Sequence, residues 1–304
     1  MSVKSRINLY RHCYKRAKAD LRQLSLGQKT NYDLLQLSHR LEKGMLITNP
    51  KPMWGWEKAE KMVTLLKKCK DGFSSITAKA VLSVYLEAKS KSEYKEDLKK
   101  YADFLRQTGF QTVPFENVGG AITVKSQAFS ESEQAAIRRL FETRHSCREF
   151  ADRHVSDKDI EEAVRLALRC PSACNRQPFH VYAIDPAKLA KQMGQQKLQY
   201  DGDRALIITG DVRAFTTSEL LDWIVSPSIF AGYLTLSLHS LGIGSCVVRK
   251  DLVSPSTYND AIRVLTRMGC SERIVLEMFI GYYPDEFVAP VSNRANPDSI
   301  VSFV

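Results

Sequence analysis

The sequence predicts an α+β fold preceded by an all-helical unit, and three observations lead to that reading. Apolar residues recur at spacings of three and four through the first 110 positions. After residue 130 short β-rich runs alternate with amphipathic helices. The charge balance also breaks near residue 125. Residues 1–125 carry 24 Lys and Arg against 12 Asp and Glu, whereas residues 126–304 carry 20 against 22. Such asymmetry marks two units with different surroundings, 1–125 and 126–304.

The first helix is expected over residues 7–24, where Ile7, Tyr10, Tyr14, Ala17, Leu21 and Leu24 form one stripe among basic residues. Further helices follow at Asn31–Met45, Trp56–Cys69, Ala78–Ala88 and Tyr94–Leu105. Gly109 and Pro114 end the pattern, and the stretch Pro114–Ala128, with Gly119-Gly120, reads as a linker. Ser130 and Glu133 form a capping box that opens a helix running to Thr143. An amphipathic helix spans Asp157–Cys170 and stops at Pro171. Strands are expected at Phe179–Ile184, Ala205–Thr209, Ser245–Val248 and Ile274–Gly281. The long run Leu220–Leu241 is apolar on most faces and reads as a buried helix, and Tyr258–Met268 is a helix between the last two strands.

Several function classes fall away. Seven cysteines, odd in number and without a CxxC pair, suit free thiols in a reducing cytoplasm, and none stands at metal-ligand spacing. The N-terminus lacks the apolar core of a signal peptide, and no apolar run reaches the length of a membrane span. Seven Lys and Arg against one Asp in the first 22 residues leave an anionic lipid or nucleic-acid partner open, alongside a simply solvated face. Trp54 and Trp56 are either an aromatic wall over a substrate or packing residues.

Three segments carry chemistry. In Arg144-His145-Ser146-Cys147-Arg148-Glu149-Phe150, two guanidiniums flank a hydroxyl and suit a phosphate and a polar ring edge; a charged helix end has the same letters. Pro171-Ser172-Ala173-Cys174-Asn175-Arg176-Gln177-Pro178-Phe179 offers small and amide side chains between a helix and a strand, either for a flat heterocycle or as a plain connection. Gly242 and Gly244 stand where the long helix gives way to a strand and allow close backbone approach. They are not a dinucleotide fingerprint, because the third glycine is missing and the order is helix then strand.

In this order the three segments resemble the nitroreductase family of FMN-dependent oxidoreductases, from about Ser130 to the C-terminus. The resemblance implies a central sheet flanked by helices, and a homodimer with FMN at the interface and the C-terminal segment reaching across to the partner. It implies that Arg144 holds the FMN phosphate with His145 and Ser146 beside it, and that Arg148 approaches the N1–O2 edge. Pro171, Ser172 and Asn175 contact the flavin bound mainly by the other subunit. The backbone of Val248 and Arg249 lies near N5, Gln196 touches the ring edge, and Arg294 gives a second phosphate contact. NAD(P)H is the implied co-substrate and a nitro compound or quinone the type of acceptor, in ping-pong turnover. A specialised flavin-dependent dehydrogenase or dehalogenase is the alternative, as is a flavin-binding protein docked through its basic helical unit. Three departures stand out. Ser292 replaces a lysine common before the last arginine, Arg249 replaces a glutamate found in some members, and the excursion between Asp211 and Ser228 is short. The basic helical unit is absent from the minimal family.

Overall fold

The computed structural model describes residues 26–115, 118–196, 198, 202–216, 219, 221–248 and 257–304. The helix expected over residues 7–24 and the Arg249 position lie outside them. Four helices come first: α1 (Leu26–Met45), α2 (Trp56–Leu66), α3 (Phe73–Ser90) and α4 (Lys95–Thr108). Their stripes meet in one core, with Leu34 and Leu41 of α1 against Met62 of α2 and Leu82 and Leu86 of α3. Trp56 is 2% exposed and stacks edge-on against Tyr85, while Trp54 meets the same ring from another side. Both tryptophans are therefore packing residues.

This helical core is organised by a buried carboxylate. Asp97, 1% exposed, accepts from the Trp56 indole (2.8 Å), the Lys89 ammonium (2.8 Å), the Ser92 hydroxyl (3.1 Å) and the Met53 amide (3.1 Å). Burial by itself raises its pKa, but the bonds from Lys89 and Trp56 outweigh that and hold the carboxyl below its ordinary range. The Gly119-Gly120 linker is pinned rather than loose. A Cβ at Gly119 would lie 2.6 Å from a Val81 methyl, and the Gly120 amide donates to Glu42 (3.2 Å).

The second half opens with α5 (Glu131–Thr143), whose Ser130–Glu133 capping box forms as the sequence predicts. Then come α6 (Asp157–Ala167), β1 (Phe179–Ile184), α7 (Pro186–Gln192), β2 (Arg204–Asp211), α8 (Asp222–Ser240), β3 (Ile243–Val248), α9 (Thr257–Thr266) and β4 (Glu272–Tyr282). The four strands form an antiparallel sheet in the order β1-β2-β4-β3. Alternation along β2 divides its side chains between two cores. Leu206 and Ile208 face α6 and α8, joined by Met278, Ile280 and Ile243. Ala205 and Ile207 face α7 and α9 with Phe279.

The helix α7 was not expected; it is seven residues long, starts with Pro186 and is capped by Asp185, too short to show a period. The helix α8 also departs from expectation. Phe230, Leu234 and Leu238 are buried, but Val225, Ile229 and Tyr233 line an exposed stripe beside Gly232. Its uniform apolarity spans two faces, only one of which the described residues cover.

The Asp97 network makes a direct prediction. Asp97→Ala leaves the Lys89 ammonium buried without its carboxylate, at a cost of about 3–5 kcal/mol. Chemical denaturation should show the midpoint fall accordingly; an unchanged midpoint would exclude this role for Asp97.

Candidate functional site

The first polar segment is seated at the outer edge of β3. Arg144 caps the C-terminus of α5 with extended backbone, so the chain leaves the helix there and runs alongside the strand. Ser146 forms a parallel bridge with Ser245, and the Cys147 amide donates to the Ser245 carbonyl (3.0 Å). Gly244 makes the fit possible, since a Cβ there would lie 2.8 Å from the Cys147 Cβ and 3.0 Å from the Tyr283 ring. Arg144, His145 and Ser146 are half-buried and Arg148 is exposed. Among the described residues no ion pair is formed by Arg144 or Arg148. Val248 ends the same strand, half-buried.

Two residues not singled out in the sequence hold this segment. His239, near the end of α8, lies 2.9 Å from the Thr143 hydroxyl through Nε2 and 3.1 Å from the Tyr283 hydroxyl through Nδ1. Burial lowers the His239 pKa, and the charges of Arg144 and His145 lower it further. Burial pushes the Tyr283 phenol up to about 12. A neutral histidine and a protonated tyrosine thus fix the exit from α5 without adding charge beside the arginines.

The second segment sits at the β1 edge. Cys174, Asn175 and Gln177 all adopt left-handed backbone, with φ of 51°, 49° and 46°. Each such residue costs about 1–3 kcal/mol and persists only where its surroundings impose it. Here Ser172 accepts from the Asn175 amide through its carbonyl (2.9 Å) and from the Gln177 amide through its hydroxyl (3.1 Å). Arg176, 2% exposed, turns inward. It donates to the Ala173 carbonyl (3.0 Å), to the Ala214 carbonyl and bidentately to Glu219 (2.5 and 3.2 Å), over the Phe215 ring. Those bonds from Arg176 hold the Glu219 carboxyl down at about 2. Ser172 is half-buried, while Pro171 and Asn175 are exposed.

The two segments do not meet within one chain. They occupy opposite edges of the sheet, three strand spacings or about 14 Å apart. They also occupy opposite ends of α8: the Ala173 amide reaches the Ser226 hydroxyl (3.4 Å), whereas His239 serves the Arg144 segment. The thirteen-residue interval from Ser226 to His239 spans about 20 Å of helix. Gln196 is exposed in the connection after α7. Arg294 is exposed in the C-terminal tail and donates to the Ser292 carbonyl there.

The helical unit touches this part of the chain through α1. Tyr32 donates to Asp211 (3.1 Å), which also holds Arg213, and α1 packs on the turn Ala173–Asn175. Among the described residues no helix is long and apolar enough to cross a membrane, and no three His, Cys, Asp or Glu residues cluster as a metal site.

An antiparallel sheet between two helical layers, with polar segments seated on both edges, defines an α+β domain. Comparison with known proteins sharpens this. Residues 141–201 match the sequence profile of the nitroreductase family. The chain is 28% identical over 169 residues to an Archaeoglobus fulgidus protein named as an NADH dehydrogenase/NAD(P)H nitroreductase, covering 53% of this chain and 94% of that one. Among solved structures it is similar to a Bacillus subtilis nitroreductase (17% identity, TM-score 0.47, 56% of this chain and 100% of the other). It is also similar to an FMN-dependent nitroreductase of Clostridium difficile (22% identity, TM-score 0.44, 54% and 96%). The C-terminal part of this chain is nitroreductase-like.

Glu219→Ala should unlock the strained loop, leaving a buried guanidinium short of its partner and costing about 3 kcal/mol. Because the folded carboxyl titrates near 2 instead of 4.5, the pair's contribution is full above 4.5 and is lost as pH falls toward about 2. Denaturation midpoints of wild type and Glu219→Ala should therefore differ near pH 7 and converge near pH 2. A gap that is the same at both pH values would contradict the assignment.

Proposed function

We propose that this chain is an FMN-dependent oxidoreductase passing reducing equivalents from NAD(P)H to a small-molecule acceptor, with residues 126–304 as the flavin unit and 1–125 as a helical unit packed on it. The observation that carries the proposal is the pair of unneutralised guanidiniums, Arg144 and Arg148, seated on a strand edge by Ser146 and relieved of steric conflict by Gly244. This donor set fits a phosphate and an electron-rich ring edge. Arg144, with His145 and Ser146, takes the phosphate; Arg148 takes the N1–O2 edge, where its charge favours the anion that develops on reduction. Held by these residues, FMN would supply the redox chemistry between NAD(P)H and an acceptor of nitro or quinone type, in ping-pong turnover. No acid or base on the protein is needed for this.

The separation of the two segments supports a homodimer. Two copies of α8 packed antiparallel through their exposed Val225–Ile229–Tyr233 stripe, crossing at Gly232, bring the Ser226 end of one beside the His239 end of the other. Pro171, Ser172 and Asn175 of one subunit then close the site that Arg144, Arg148 and Val248 open in its partner. Other apolar surface supports the same arrangement. Phe141 on α5 is 61% exposed, and Val288, Val291, Ile300 and Phe303 leave the C-terminal tail uncovered. That tail carries Arg294 toward a phosphate. Gln196 and the Arg249 backbone belong to the same reading as ring-edge and N5 contacts.

Purified protein should show a flavin absorption spectrum that bleaches when NADPH or NADH is added without oxygen. Arg148→Ala removes one charge-assisted contact of about 1.5–3 kcal/mol, so reduction should slow by roughly tenfold or more and the potential should fall. Protein that holds no flavin, even after FMN is added, would overturn the proposal.

A further inference from the structure

A cleft of about 620 Å³ opens where the helical unit meets the strained loop. Its walls come from α1 (Tyr32), the turn between α2 and α3 (Lys68, Lys70), the first residue of α3 (Phe73) and the loop before β1 (Arg176, Gln177). The volume falls within the range of roughly 300–1,000 Å³ typical of small-molecule sites, and such sites favour the junction of two cores.

Charge decides what suits it. Five charged side chains line the cleft, and three are already matched. Arg176 is paired with Glu219, Arg213 with Asp211, and Asp71 with Lys79 (3.2 Å). Lys68 and Lys70 have no carboxylate within 4.0 Å among the described residues. The cleft is therefore lined by two exposed cations without a carboxylate partner among the described residues. Beside them Phe73 is 57% exposed, an apolar ring left facing solvent, and Phe179 adds a second ring to the lining. Gln177, held at φ 46°, also lines the cleft, with its side-chain amide donating to Asn175 (3.2 Å).

We propose that this cleft binds a small aromatic acid, its ring against Phe73 and its anionic group between Lys68 and Lys70. The recognising chemistry is an anion joined to a flat apolar body. A carboxylate and a phosphate monoester both supply it. Pairing the anion with two ammonium groups compensates its desolvation, and the ring covers apolar surface otherwise left in water. None of the proposed flavin contacts lines the cleft, although Arg176 and Gln177 belong to the same loop as Ser172 and Asn175.

The test is calorimetric titration of the full-length protein with 1-anilinonaphthalene-8-sulfonate as probe. Lys68→Glu/Lys70→Glu should weaken binding at least tenfold. Lys61→Glu/Lys99→Glu, the same charge change elsewhere on the helical unit, should leave it unchanged. Benzoate and phenyl phosphate, added as competitors, identify which acid is preferred, and neutral phenol should not compete. Equal affinity in the first double variant, equal losses in both, or displacement by phenol as effective as by the acids would each overturn the proposal. Matching thermal melts exclude misfolding, and flavin content measured on the same samples keeps this claim separate from the flavin reading.

Discussion

The length of α8 governs how the polar segments of this protein can act. One end of that helix meets the loop after Pro171, and the other, through His239, holds the segment beginning at Arg144. The strand order β1-β2-β4-β3 keeps those segments on opposite edges of the sheet as well. No rotation of a side chain closes a gap of about 20 Å. In the proposed function a site that needs both is completed by a second copy, for which the exposed stripe on α8 would be the packing face.

The local devices serve this long-range arrangement. The Arg144 segment stays flat on β3 because Gly244 has no side chain and because His239 and Tyr283 tie its entry. The loop at the other edge stays strained because a buried guanidinium reaches four acceptor atoms around it. Charge is handled differently at the two places. Arg176 is neutralised by Glu219 and acts as a structural tie, whereas Arg144 and Arg148 have no carboxylate partner among the described residues. The helical unit has its own core around Asp97 and adds a second wall to the strained loop through α1.

Most of the fold was legible because its signals are local. The capping box at Ser130, the stop at Pro171 and the β-rich run Phe179–Ile184 each lie within a few residues of the structure they specify. The exception among helices, α7, has too few residues to carry a period. The two polar segments could be read as motifs, but their separation could not, since it depends on β2 pairing with β4 across more than sixty residues of chain. The same holds for the ties. Arg176 and Glu219 are 43 positions apart, Thr143 and His239 are 96, and Tyr32 and Asp211 are 179. The exposed face of α8 was hidden for another reason. A helix apolar all round reads as buried, and sequence does not say whether its own chain or a second one does the burying.

The most direct measurement is flavin content after mixing two defective variants. Arg144→Ala/Arg148→Ala removes one half of the proposed site, and Ser172→Ala/Asn175→Ala removes the other, so each homodimer should lose FMN. Co-expressed, the two chains form heterodimers in which one site gathers every substitution and the other is intact. The account predicts that these heterodimers regain half the flavin of wild type and bleach with NAD(P)H. Heterodimers as empty as either parent would show that the two segments do not meet across an interface.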